Sequence, residues 1–195
     1  MNIAGIDYSM TSPAICAGML MDNPNFECNS TKFGYTCSTS VLTNKKKSIM
    51  DTRGIRVELH KPYNSDIERY YNISEWAIKV LSSWRVDHIF LEGYSFNSKG
   101  GLICNIAENG GILKYKIYNL NIPVTLVPPT ILKKFATGKG NANKEMMETV
   151  FMQEEKYDLR KNLNQTDKQF NPSSDIIDAY YLYKYGNSIL LESSK

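Results

Sequence analysis

The sequence is poor in the residues that build zinc sites and lacks any long apolar run. Its only histidines, His60 and His88, and its four cysteines, Cys16, Cys28, Cys37 and Cys104, form no CxxC pair and show no metal-ligand spacing, which argues against zinc. In a reducing compartment these cysteines are expected to be free thiols acting as small apolar residues. No stretch approaches the ~20 apolar residues needed to cross a bilayer, so no membrane partner is expected. The opening Met1-Asn2-Ile3-Ala4-Gly5-Ile6-Asp7 has no basic n-region, and a cytoplasmic location is expected. Internal repeats and domain linkers are missing too, and 195 residues suit a single domain spanning 1–195. The apolar share of 42% excludes a disordered chain, while a net charge of +3 permits a polyanionic partner without demanding one.

What is present alternates in a recognisable way. Three short strands are predicted at Asn2 to Asp7, Ala14 to Leu20 and about Lys32 to Cys37, separated by turn-rich stretches such as Ser12-Pro13 and Asp22-Asn23-Pro24-Asn25. Ser65-Asp66-Ile67-Glu68 has the form of a capping box, and the apolar spacing from Tyr70 to Trp84 predicts a helix behind it. Asp87 to Glu92 reads as a buried parallel strand, Leu102 to Tyr118 as a helix, and Pro123 to Val127 as another strand. A further helix is expected after Asn143, with Met146, Met147, Val150 and Phe151 turned inward, and a last one from about Ser174 to Tyr185, stopped by Gly186. Ser38 to Lys47 and Lys156 to Ser173 read as loops. The order implies an α/β fold: a mixed sheet with helices on both faces.

Four carboxylates fall where such a fold could gather them. Asp7 and Glu92 each end a strand, and Gly93 lets the chain turn away sharply after the second. Alone, either is an ordinary turn or strand-exit residue. Asp175 and Asp178 stand three apart at the start of the last helix, on one face, among Ile176, Ile177, Ala179 and Tyr180. Alone, that pair is a favourable placement of negative charge at a helix N-terminus. Together the four would repel one another by on the order of 4 kcal/mol per pair at about 4 Å, and such a cluster calls for cations. Oxygen ligands without His or Cys favour Mg²⁺, with Mn²⁺ as a substitute, and two such ions per active site suit phosphodiester hydrolysis.

A basic stretch lies between the carboxylate motifs. Lys133, Lys134, Lys139 and Lys144 occur with no acidic residue among them, and Gly138 and Gly140 permit close approach to a phosphate. Lys144 at a helix start opposes the helix dipole, a conflict that a bound phosphate relieves. Tyr94 and Phe96 could stack on unpaired bases, although aromatics beside a strand end also serve as plain packing. Lys45-Lys46-Lys47 reads first as a solvated lysine run.

Gly5-Ile6-Asp7-Tyr8-Ser9, Phe90-Leu91-Glu92-Gly93, the segment Val127-Pro128-Pro129 with Leu132 to Lys144, and Ser174-Asp175-Ile176-Ile177-Asp178-Ala179 together resemble the RuvC-like Holliday junction resolvases, particularly forms carried by bacteriophages. The resemblance spans nearly the whole chain. It implies a ribonuclease H-like mixed five-stranded sheet with helices on both faces, with Asp7, Glu92, Asp175 and Asp178 as catalytic metal ligands and Lys144 as a catalytic lysine. It further implies a homodimer that resolves four-way DNA junctions by paired cuts. The helix from Leu102 to Tyr118, with Gly110-Gly111, is the expected dimer face. The stretch from about 28 to 63 departs from a minimal resolvase and reads as an insertion or an altered strand. Other readings are a nuclease of the same fold acting on flaps, forks or other branched DNA, and a non-catalytic junction binder. A third is an actin- or sugar-kinase-like ATP-binding fold, suggested by Gly5 to Ser12 but short of a second phosphate loop.

Overall fold

The computed structural model describes residues 1–21, 31–37, 50, 54–94, 102–166 and 169–193. The turn at Asp22 to Asn25, Cys28, the Ser38 to Lys47 loop with its three lysines, and Phe96 lie outside them. The first three strands fall where alternation and turn residues put them: β1 (Asn2–Asp7), β2 (Ala14–Met19) and β3 (Lys32–Cys37), joined as an antiparallel meander. β4 (Ile55–Leu59) then pairs parallel to β3, while β5 (His88–Glu92) and β6 (Val124–Val127) extend the sheet in parallel from β1.

Among the described residues the sheet therefore has six strands in the order β4-β3-β2-β1-β5-β6, not the expected five. The additional strand lies inside the 28–63 region. Ile55 and Val57 are buried while Arg56 and Glu58 are only half so, an alternation that pairs Phe33 with Ile55 through to Cys37 with Leu59. β1, β3, β4, β5 and β6 share one direction, so their C-terminal ends form one rim.

Helices cover both faces. α1 (Asp66–Ser83) is capped by Ser65, whose side chain accepts from the Glu68 amide at 3.3 Å; the Glu68 carboxylate accepts from the Asn64 amide at 2.7 Å instead of closing back on Ser65. α2 (Leu102–Asn119) packs with α1 over Ala4, Ile6, Ile15, Ala17, Ile89 and Leu91. The opposite face, with Ile3, Cys16 and Phe90, is covered by α6 (Ser173–Glu192), backed by α3 (Pro129–Thr137) and α4 (Lys144–Glu155). The expected Lys156 to Ser173 loop carries one short helix, α5 (Leu159–Asn162). No helix among the described residues is long and apolar enough to cross a membrane.

Two boundaries differ from the sequence reading. Lys133 and Lys134 stand on a helix that begins with Pro129 and ends at Gly138 in the left-handed region (φ 77°), a start and stop suited to those two residues. The last helix runs straight through Gly186, which serves packing and not termination. A Cβ there would fall inside the Phe90 ring. Gly186→Ala is expected to cost about 1–3 kcal/mol by overpacking, a fall in melting temperature of roughly 3–10 °C readable by thermal denaturation.

Candidate active site

Strand parity brings the carboxylates together. On β1, Ala4 and Ile6 face α1 and α2, so Ile3, Gly5 and Asp7 face α6; on β5, Ile89 and Leu91 face α1 and α2, so Phe90 and Glu92 face α6 as well. The two strands are hydrogen-bonded neighbours with Ile6 opposite Leu91, and Asp7 and Glu92 come one step later at the same rim. Gly5 decides how near α6 comes, because a Cβ at this position would strike the Ala179 carbonyl oxygen and the Tyr183 amide nitrogen. That close approach sets the preceding turn of α6, with Asp175 and Asp178, over the end of β1.

The resulting cleft of about 430 Å³ is lined by Asp7, Glu92 and Asp178 together with Lys133, Lys144 and Lys114. Asp175 lies behind it, only 6% exposed, accepting from the Tyr35 hydroxyl at 3.4 Å. Burial is the main influence on all four carboxyls, and mutual repulsion adds to it at Asp7, Glu92 and Asp178. Asp7 is pushed well above the usual carboxylate range, Glu92 is raised, Asp175 is pushed up to about 6 and Asp178 to about 8. Lys144 pulls all four the other way, and Lys133 does so for Glu92 and Asp178.

Among the described residues no His or Cys lines the cleft, so the carboxylate donors there are oxygens. Among the described residues no three His, Cys, Asp or Glu side chains are drawn into a ready-made metal cage. Glu92 nonetheless shares a side-chain hydrogen bond with Asp7, and Glu92, Asp175 and Asp178 all act on the charge of Asp7. Acidic oxygens held above their usual range by burial and by one another fit a hard divalent cation, which stabilises their ionised form.

Of the residues singled out from sequence, Asp7, Glu92, Asp178, Lys133, Lys144 and Tyr94 meet at the cleft, with Asp175 just behind. Lys134 and Lys139 do not: both are exposed, on α3 and on the turn after it. Tyr94 stands against α2, and a Cβ on Gly110 would lie 2.7 Å from its hydroxyl. Gly110 thus makes room for the chain's own tyrosine, while nothing stands within 4 Å of a Cβ on Gly111.

Sequence reasoning missed several participants. Lys114 on α2 lines the cleft with its ammonium 4.9 Å from the Tyr94 ring centroid. Asn171 ties three segments together. Its amide donates to Ser12 at 2.9 Å, and its carbonyl oxygen takes the Ser174 hydroxyl at 3.0 Å, while the Lys144 ammonium sits 3.3 Å from that same Ser174. The only signal for Lys114 was its place one turn after Gly110 on a helix following Tyr94; for Asn171 and Ser12 there was none, since the fold alone joins them.

No protein-family model and no curated protein sequence matches the chain. Solved structures do. RuvC of Thermus thermophilus is similar over 97% of this chain and 96% of its own, with a TM-score of 0.61 at 16% identity. The Thermus thermophilus RuvC complex with a Holliday junction substrate matches with the same score and identity, covering 96% of each chain. The fowlpox virus resolvase in complex with its substrate Holliday junction DNA covers 98% of this chain and 99% of its own, with a TM-score of 0.49 at 18% identity. What the two RuvC likenesses show is the fold: this chain has the ribonuclease H-like architecture of RuvC, with a sixth strand at its edge, across nearly its whole length.

Proposed function

We propose that the chain, taken as one domain over 1–195, is a divalent-metal-dependent endonuclease that resolves four-way DNA junctions. The observation that carries the reading is the gathering of Asp7, Glu92 and Asp178 from two strands and one helix at one cleft, with Asp175 buried behind it and Lys133, Lys144 and Lys114 also on its wall. These four would hold the ions, Mg²⁺ or Mn²⁺, two to a site. When bound, the ions activate a water and stabilise the leaving oxygen of an in-line displacement.

The chain's own groups do the rest. Lys144 and Lys133 neutralise part of the carboxylate charge and give a phosphate a place to lie against the site. Lys134 and Lys139, exposed beyond the cleft, meet the DNA backbone without reading sequence. Tyr94 offers a ring face at the cleft wall for an unpaired base, and Phe96 is assigned the same role from its place in the sequence. Two symmetric cuts need two active sites, so the working form is a homodimer, meeting through the exposed side of α2 where Tyr115 is 67% and Tyr118 76% exposed. Sedimentation of the chain alone and with junction DNA tests this, and a monomer in both states would reject it.

Metal binding also predicts a pH signature. Each carboxyl whose folded value lies above its unfolded one binds its proton more tightly in the folded chain, so stability from these groups is present at low pH and lost as pH rises from about 4 to about 8. A divalent cation favours the ionised form and opposes that loss. The rise in melting temperature caused by Mg²⁺ over EDTA is therefore expected to be larger at pH about 8 than at about 5.5, and Asp178→Asn is expected to shrink the difference. Equal Mg²⁺ effects at both pH values would contradict the assignment.

A further inference from the structure

The additional edge strand opens a second cavity. Past the end of β4 the chain runs through His60, Lys61 and Tyr63 into α1, and these residues enclose about 350 Å³ with Arg69, Trp76 and Lys79 of the helix. The cavity lies on the same rim as the active-site cleft. The two adjoin: Arg69, on the wall of the second, brings its guanidinium nitrogen to 4.0 Å from the Met10 sulfur, on the wall of the first.

The carboxylates around this cavity are already engaged. Glu58 holds Arg56 at 2.8 Å and Lys79 at 3.2 Å, Glu75 holds Lys116 at 2.6 Å, and Glu68 accepts from the Asn64 amide. Among the described residues Arg69 is ion-paired to Asp66 alone, itself 57% exposed, and its guanidinium lies 5.5 Å from the ring centroids of both Tyr63 and Tyr70. Lys61 is exposed. Among the described residues His60 Nε2, Arg69 Nε and Trp76 Nε1 are buried without a hydrogen-bond partner, a costly state. Burial, with Arg69 beside it, pushes His60 down to about 4, so near neutral pH the ring is uncharged and the positive charge is that of Arg69 and Lys61.

The placement on the rim fixes the scale. β4 is three strand spacings from β1, roughly 14 Å at about 4.8 Å each, which corresponds to about four nucleotides at 3.4 Å rise per strand. We propose that this cavity is a second nucleic-acid subsite, in which Arg69 and Lys61 hold a backbone phosphate about four nucleotides from the scissile bond while the exposed ring of Tyr63 faces the neighbouring base. The proposal rests on the nuclease reading above and adds to it a contact that positions a DNA arm without touching the reacting phosphate.

The test is a neutral-phosphate scan. Four-way junctions carrying a single methylphosphonate at successive positions on either side of the cut are bound in EDTA by the full-length wild-type chain, by Lys61→Gln and by Arg69→Gln. One position about four nucleotides from the cut should weaken wild-type binding roughly 3- to 10-fold, and the same position should no longer matter to either variant. Each variant should bind the unmodified junction more weakly, with a salt slope shallower by about 0.9. Wild-type affinity, salt slope and scan profile in both variants would overturn the proposal. A chain that binds junctions but never cuts them would count against the nuclease reading alone, and the scan would still decide the subsite; a wild-type chain that binds no branched DNA would overturn both.

Discussion

Asp7→Asn is expected to abolish cleavage while leaving junction binding intact or tighter. Asp7 ends the central strand, is repelled by Glu92, Asp175 and Asp178, and lines the cleft together with Glu92 and Asp178. An ion at such a site supplies several kcal/mol of charge stabilisation, so losing a charged ligand is expected to slow the chemical step by on the order of 10³-fold or more. Binding responds in the opposite sense because a negative charge next to a polyanion is removed. Stability supplies an independent readout. In EDTA the substitution relieves a buried like-charge cluster and should raise the melting temperature by roughly 2–6 °C near neutral pH. A variant that loses activity and stability together would mean that Asp7 is structural.

Lys144→Ala is expected to fold, to bind a junction within several-fold of wild type, and to cut on the order of 10²-fold more slowly, the loss expected for one positioned charge. Lys144 opens α4, where its charge opposes the helix dipole, and its ammonium is turned toward the start of α6, 3.3 Å from Ser174 and 3.5 Å from Asn171. A contact used mainly in the transition state lowers turnover more than affinity, whereas a plain backbone contact lowers affinity and the salt slope. Single-turnover cleavage at saturating protein separates the two. An unchanged rate would return Lys144 to the surface and pass the role to Lys133, the other lysine of the basic stretch that lines the cleft; Lys139 is too far out on its turn to inherit it.

How much of this was legible in the sequence varies with the kind of signal. The first three strands, β5 and the starts of α1 and α4 are set by local patterns: alternation, Ser65 and Asn143 as caps, apolar residues at helical spacing. The four carboxylates could be picked out because strand ends and a helix start are where α/β folds place reactive groups, and the RuvC resemblance tied them together. β4 was not placed although Ile55-Arg56-Val57-Glu58-Leu59 alternates plainly, since the surrounding departure from a minimal resolvase was read only as an insertion or an altered strand. Gly186 was read as a helix stop because a glycine demanded by a neighbour is locally indistinguishable from one demanded by a turn; only the Phe90 ring against it tells them apart. Lys114, Asn171, Ser12 and Arg69 carried no local mark of a role. Their places follow from which elements the sheet order brings side by side.

The most direct measurement is single-turnover cleavage of a four-way junction, with three-way, flap and linear duplex DNA of matched sequence alongside, in Mg²⁺ and in EDTA. The account predicts paired cuts in the four-way junction with Mg²⁺, much slower cutting of the linear duplex, and no cutting in EDTA. Full cleavage in EDTA would contradict the metal-dependent site, and equal rates on linear duplex and junction would contradict the choice of substrate.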